Sequence, residues 1–204
     1  MHDTVSQAWL GHTVVLTAGT KQLTKEIAMN AVLDTITAIE TATTTQDEHG
    51  QFDGGSKDQQ AAAEIAEMYL NNFNLIHNHA DNVVEDATIA AVLTGMRDLQ
   101  VRDYVMGLVT DENRQQYIDA LTEVAKHAPE NKYSDAPITV AAAFIYEGED
   151  AELADTYLAN VSENYALAQL LRRVFKAGWH ANQFAKMRNE VHASVKAGIF
   201  GEDK

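Results

Sequence analysis

His77-Asn78-His79, followed by Asp81, places two imidazoles and a carboxylate within five residues, a donor set that suits zinc, iron or nickel. Residues two apart face different sides of a helix, so both imidazoles reach one ion only where a helix ends. Asp81 has the character of a cap for the next helix and would supply that end; the plainer alternative is a polar turn. Glu64 and Glu67 share one helix face at a spacing of three. A carboxylate-bridged metal pair would also need Glu-x-x-His, which the chain lacks, so these two acids read as a solvated face. Arg97-Asp98 recurs five residues later as Arg102-Asp103, either able to join two helices as an ion pair or to sit at a surface. His127 could complete an acid–base set with Arg102 and Asp103, a combination that any chain of this length permits.

Other chemistries are excluded by composition and motif. The 204 residues contain no cysteine, which removes disulfides, thiolate nucleophiles and sulfur-ligated zinc. There is no Gly-x-Ser-x-Gly, and Gly54-Gly55-Ser56-Lys57 lacks the preceding strand and first glycine of a phosphate loop. Trp179-His180 is the kind of pair that anchors a helix start to a core. Enzymatic activity is therefore not expected, and no cofactor is assigned.

The elements that would hold these residues are helical. Only Pro129 and Pro137 interrupt the chain, both beside an aperiodic polar stretch from Glu130 to Ala136 that reads as a joint. Lys21 to Thr43 carries Leu23, Ile27, Ala31, Ile36 and Ile39 at roughly helical spacing. Thr13 to Thr17 fits either a short strand or a helix end. Thr41 to Lys57, with three glycines, reads as a flexible loop after which Ser56 or Asp58 caps a helix from about Gln59 to His77. That helix has Ala62, Ile65, Ala66, Tyr69, Leu70 and Phe73 on one side. A further helix from about Asp81 or Asn82 carries Val84, Ile89, Val92, Leu93 and Met96; Val101 to Val109 makes a shorter one; Asp111 caps another through Tyr117, Ile118, Leu121, Val124 and Ala125. After Pro137 the spacing predicts helices over Ile138–Tyr146, Ala151–Ala159, Ser162–Ala177 and Ala181–Ala197. Short links at Gly148, Asn160-Val161-Ser162 and Gly178 should fold them as stacked antiparallel hairpins, with left-handed caps at Gly178 and Gly198. The expected fold is all-α, an irregular bundle of about eight helices in a single domain over residues 1–204. It is divisible into a bundle over 1–128, with its loop at 44–57, and hairpins over 137–204.

Val101-Arg102-Asp103, the run Ala141-Ala142-Ala143-Phe144-Ile145-Tyr146 into Gly148-Glu149-Asp150, then Ala154, Tyr157-Leu158, Tyr165 to Leu171 and Ala177-Gly178 resemble the actinobacterial family catalogued as domain of unknown function 4192. The resemblance spans about residues 101–178 and implies helical packing with no assigned activity. The same segment is loosely similar to a tetratricopeptide-type hairpin, with Tyr146 before Gly148, Ala154 and Tyr157, but has no second copy at a 34-residue period.

Charge is the other signal. Thirty acids against fifteen bases give a formal charge of −15, unfavourable for binding nucleic-acid phosphate or an anionic membrane. No apolar run approaches the roughly 20 residues of a spanning helix, and Asp3 stands where a signal peptide needs bases, so a soluble cytoplasmic protein is expected. Residues 136–171 carry six acids and no base, whereas 172–204 carry seven bases and three acids. Arg172, Arg173, Lys176, Lys186 and Arg188 could thus meet the acids of a second copy or of a protein partner, or pair internally against Glu147 to Asp155. The leading expectation is a non-catalytic protein–protein interaction or assembly module, with a groove lined from Ile138 to Gly178 and Tyr146, Tyr157, Tyr165, Arg172 and Arg173 as binding residues. The alternatives are a metal-binding protein or enzyme using His77, His79 and Asp81, and an acidic mimic of DNA phosphate that inhibits a DNA-binding protein. Homo-oligomerisation is compatible with each.

Overall fold

The computed structural model describes residues 18–42, 56–77 and 85–201. Among them the helices are α1 (Ala18–Ala42), α2 (Ser56–His77), α3 (Asp86–Gly95), α4 (Leu99–Gly107), α5 (Arg114–Lys126), α6 (Asn131–Glu147), α7 (Ala151–Leu158), α8 (Ala166–Lys176) and α9 (Ala181–Phe200). No strand occurs among the described residues. The fold is all-α, as its sequence pattern requires. Thr13 to Thr17 and most of the glycine-rich segment lie outside the described residues.

Helix α6 is the axis. It packs on α5 and α7 and also touches α3, α4, α8 and α9. Val140, Ala141, Ala142, Ala143 and Phe144 are all completely buried. Three consecutive alanines let neighbouring helices approach on every side, and Phe144 meets Tyr117 of α5 edge-on at 6.4 Å. This corrects the reading of Glu130–Ala136 as a joint. Those residues form most of the first two turns of α6, and Pro137 lies inside the helix. Burial accounts for the missing period: with Tyr133, Ala136 and Val140 in the core and Ser134, Asp135 and Thr139 also buried, the helix has no polar face. The buried polar groups are bonded, Thr139 Oγ1 to the Asp135 carbonyl at 2.6 Å and Asp135 Oδ1 to the Ser162 amide at 3.0 Å.

Around this axis, α1 packs on α3, and α2 on α3, α4, α5 and α9. Val32 and Ile36 carry α1 into the core, whereas Ile27 is exposed. Asp98 caps α4 by accepting from the Gln100 and Val101 amides at 2.8 and 3.1 Å. At α5 the capping position belongs to Asn113, not Asp111. Asn113 instead locks the preceding turn, accepting from the Thr110 amide at 2.7 Å. Gly178 adopts the expected left-handed conformation (φ 66°). Gly198 does not: α9 continues to Phe200 and the left-handed residue is Gly201.

Helix α9 is fastened by a buried ion pair. Arg188 Nε and Nη2 donate to the two carboxylate oxygens of Glu147 at 2.7 and 3.0 Å, with the two side chains 5% and 0% exposed. Arg188 also donates to the carbonyls of Met106 and Val109 past the end of α4. This is the internal pairing anticipated between the basic carboxy-terminal segment and the acids from Glu147 onward.

Candidate interaction trough

The concave surface of the hairpin region is a chain of three clefts. The first, of about 420 Å³, is walled by α5 (Arg114, Gln115, Ile118, Asp119), the end of α6 (Phe144, Ile145, Gly148) and α7 (Asp150, Leu153, Tyr157). The second, of about 610 Å³, shares Asp111 and Arg114 with it and extends along α9 past Ala185 and Asn189. The third, of about 320 Å³, shares Tyr157 and continues between Ala125 of α5 and Ile138 of α6.

Local sequence explains each wall. Gly148 ends α6, its amide returning to the Phe144 carbonyl at 3.0 Å, and Asp150 then caps α7 by accepting from the Leu153 amide at 2.9 Å. The turn between them puts Glu149 in the left-handed region (φ 68°), where glycine is the usual occupant. A carboxylate is therefore held at the lip of the larger cleft by a backbone that disfavours it. Exposed acids at Asp111, Asp119, Glu149 and Asp150 rim the trough. Below them the floor is apolar: Phe144, Ile145 and Ile118 are buried, while Leu153 remains 42% exposed and Tyr157 half-buried. Arg114 separates two of the clefts. Its Nη2 pairs with Asp111, and its buried Nε has no hydrogen-bond partner among the described residues.

The residues singled out from sequence divide between this surface and the core. Tyr157 lines two of the clefts, with its hydroxyl accepting from Thr122 Oγ1 at 3.3 Å. Tyr146 is a core residue and not an exposed anchor. Only 6% exposed, it stacks on Phe175 at 4.0 Å and donates to the Trp179 carbonyl. Tyr165 is half-buried and accepts from Arg102 Nη1 at 3.3 Å. Arg172 is engaged within its own chain, donating to the carbonyls of Leu158 and Val161 at 2.7 and 3.1 Å, where it closes the end of α7. Arg173 is exposed on α8. His77 closes α2; its side chain, His79 and Asp81 lie outside the described residues, and among those that are described no group of three potential metal ligands occurs.

The remaining chemical candidates have structural partners. Glu64 accepts from Gln60 at 2.8 Å, but Glu67 is not part of a solvated face, since it accepts from the Tyr104 hydroxyl. Burial, then that bond, pushes the Tyr104 phenol well above its ordinary range, and burial pushes Tyr69 up to about 12, so both stay neutral. Arg102 bonds its neighbour Asp103, whereas His127 lies 3.3 Å from Glu123. Arg97 pairs with Glu40 and sits 5.3 Å over the Tyr133 ring, which ties α1 to α6.

The clefts take walls from both inside and outside the Ile138–Gly178 segment. Arg114, Asp119 and the α9 residues come from outside Ile138–Gly178, and only the excess of acids after Glu147 pointed towards the rim.

A family model described as Domain of unknown function (DUF4192) matches residues 3–182. The chain belongs to this family. The DUF4192 match is wider than the segment from Val101 to Gly178 and takes in the first hundred residues. It covers α1 to α8, hence the α5, α6 and α7 walls of the trough, and ends at the second residue of α9. Comparison with curated proteins and with solved structures finds no match. No helix among the described residues is long and apolar enough to cross a membrane.

Proposed function

We propose that this DUF4192 chain is a non-catalytic protein-binding module, and that the trough receives a polypeptide segment carrying basic side chains around an apolar anchor. The observation that carries this reading is the trough's construction, an apolar floor beneath a rim of exposed carboxylates. A segment with an apolar side chain against Leu153 and Tyr157, and arginine or lysine reaching Asp119, Glu149 and Asp150, satisfies floor and rim together. Electrostatic attraction would bring such a segment in quickly, and the apolar contact would set its residence time.

The test is fluorescence anisotropy with a labelled amphipathic peptide of leucine, lysine and arginine, titrated with the full chain. Leu153→Asp puts a charge on the floor at a position already 42% exposed, so the fold is kept. The expected result is binding that falls at least about tenfold in this variant, equivalent to about 1.4 kcal/mol. Absence of binding, or equal binding by both proteins, would overturn the proposal.

A further inference from the structure

The occupant of the trough can be identified more closely, on the reading just given, because this chain carries a matching segment. Helix α8 buries Ala168, Leu171 and Val174 against the bundle. At about 100° per residue, Leu170, Arg173 and Lys176 fall within an arc of roughly 120° on its opposite side. Leu170 is 50% exposed, and Trp179, just beyond the helix, is 45% exposed. Two basic side chains thus follow Leu170 along one outward face of α8, with the exposed Trp179 just past its end.

Three other bases of this region have partners within the chain, while Lys196 is exposed on α9, away from α8. Arg172 holds α7 carbonyls, Arg188 holds Glu147, and Lys186 lies 3.7 Å from Glu190. Arg173 and Lys176, both exposed, form no ion pair among the described residues. In the trough the lining bases Arg114, Lys186 and Lys126 are matched by Asp111, Glu190 and Glu123, which leaves Asp119, Glu149 and Asp150 as carboxylates with no ion pair among the described residues. The outward arc of α8 turns away from the α6 and α7 of its own chain, so it meets a trough only on another molecule.

We infer that the chain self-associates by seating the Leu170–Arg173–Lys176–Trp179 surface of one copy in the acidic trough of a second, Arg173 and Lys176 facing Asp119 and Glu149. Leu170 or Trp179 fills the apolar floor beside Leu153 and Tyr157. The left-handed Glu149 fits this role, because a carboxylate there contributes to the contact what it costs the fold.

The decisive experiment is charge exchange on the full chain, read by light scattering coupled to size exclusion. Wild-type protein should have a mass above the 22.4 kDa of one chain at low salt. It should approach 22.4 kDa at about 1 M salt, where the screening length is about 3 Å. Arg173→Glu with Lys176→Glu should be monomeric, and so should Asp119→Lys with Glu149→Lys. An equimolar mixture of these two variants restores opposite charge at every contact and should associate again at low salt. That recovery also shows both variants to be folded. A monomeric wild type at every concentration, or reversed variants that associate like wild type, would overturn the inference. In either event the peptide titration with Leu153→Asp still decides whether the trough binds polypeptide at all, so the two readings fail separately.

Discussion

Replacing Arg188 by methionine tests the energetic role assigned to the Glu147–Arg188 pair. The guanidinium makes two bonds to a carboxylate that is 0% exposed and two more to the Met106 and Val109 carbonyls. Methionine keeps much of the side-chain volume but leaves Glu147 as an uncompensated buried charge and two carbonyls without their donor. Breaking a buried pair in this way costs about 3–5 kcal/mol, against the 0–1 kcal/mol typical of an exposed pair. For a chain of this size the larger figure corresponds to a drop in Tm of roughly 6–20 °C. Urea unfolding followed by circular dichroism gives the free energy directly, and a second variant supplies the control. Glu147→Met combined with Arg188→Met removes both charges, so the double variant should recover most of the loss. If Arg188→Met cost under about 1 kcal/mol, or if adding Glu147→Met worsened it, the pair would not be the buried clamp described and α9 would be held by its apolar contacts alone.

Three further outcomes follow from the packing. Asp98→Ala removes the cap of α4 together with the 3.1 Å bond from Gln59, and should lower the urea-unfolding free energy by about 1–2 kcal/mol. Gly107→Ala would place a Cβ 1.7 Å from His192 Nδ1, so it should cost about 1–3 kcal/mol, most of it recovered when His192→Ala is added. Burial, helped by Lys196 and Arg188, lowers the His192 pKa below 6.5, so the unfolded chain binds this proton more readily. The contribution of neutral His192 is therefore complete above about pH 6.5 and lost as pH falls through the folded value; urea unfolding from pH 7.5 to 5 should show a smaller slope in His192→Gln than in wild type.

How far the fold can be read from the chain depends on how each helix is buried. Helix α2 was legible because one side is dry and the other wet: Ala66, Tyr69, Leu70 and Phe73 recur with helical period while Glu64 and Met68 face water. Helix α6 was half-hidden because from Tyr133 to Glu147 all of its residues but Ile138 are buried, which erases the alternation that periodicity measures. Ile27 was misplaced for a different reason. It belongs to the arithmetic stripe of α1, but the buried contacts of that helix are made by Val32 and Ile36. Gly198 resembled a cap, yet α9 runs on through it to Phe200, and a Cβ there would meet the Gln100 amide only at an ordinary contact distance of 3.5 Å. The trough itself was visible only as an unbalanced count of acids. Its construction depends on Arg114 and α9 meeting α6 and α7 across long sequence separations, which no local pattern encodes.

The arginines separate the chain's overall charge from the charge left on its surface. Arg188, Arg172, Arg102 and Arg97 are each held inside the chain, by a buried carboxylate, by helix-end carbonyls, by a neighbouring aspartate and tyrosine, and by Glu40 over an aromatic ring. Such contacts neutralise positive charge where the fold needs rigidity and withdraw it from the surface. Of the trough's carboxylates, Asp119, Glu149 and Asp150 keep no ion pair among the described residues, and on the outward side of α8 neither do Arg173 and Lys176. A chain with a formal charge of −15 should repel copies of itself at long range. Association through these two faces therefore needs short-range complementarity strong enough to overcome that repulsion already at low salt, and it should weaken as added salt screens the facing charges. A purely apolar contact would instead strengthen steadily as salt is added.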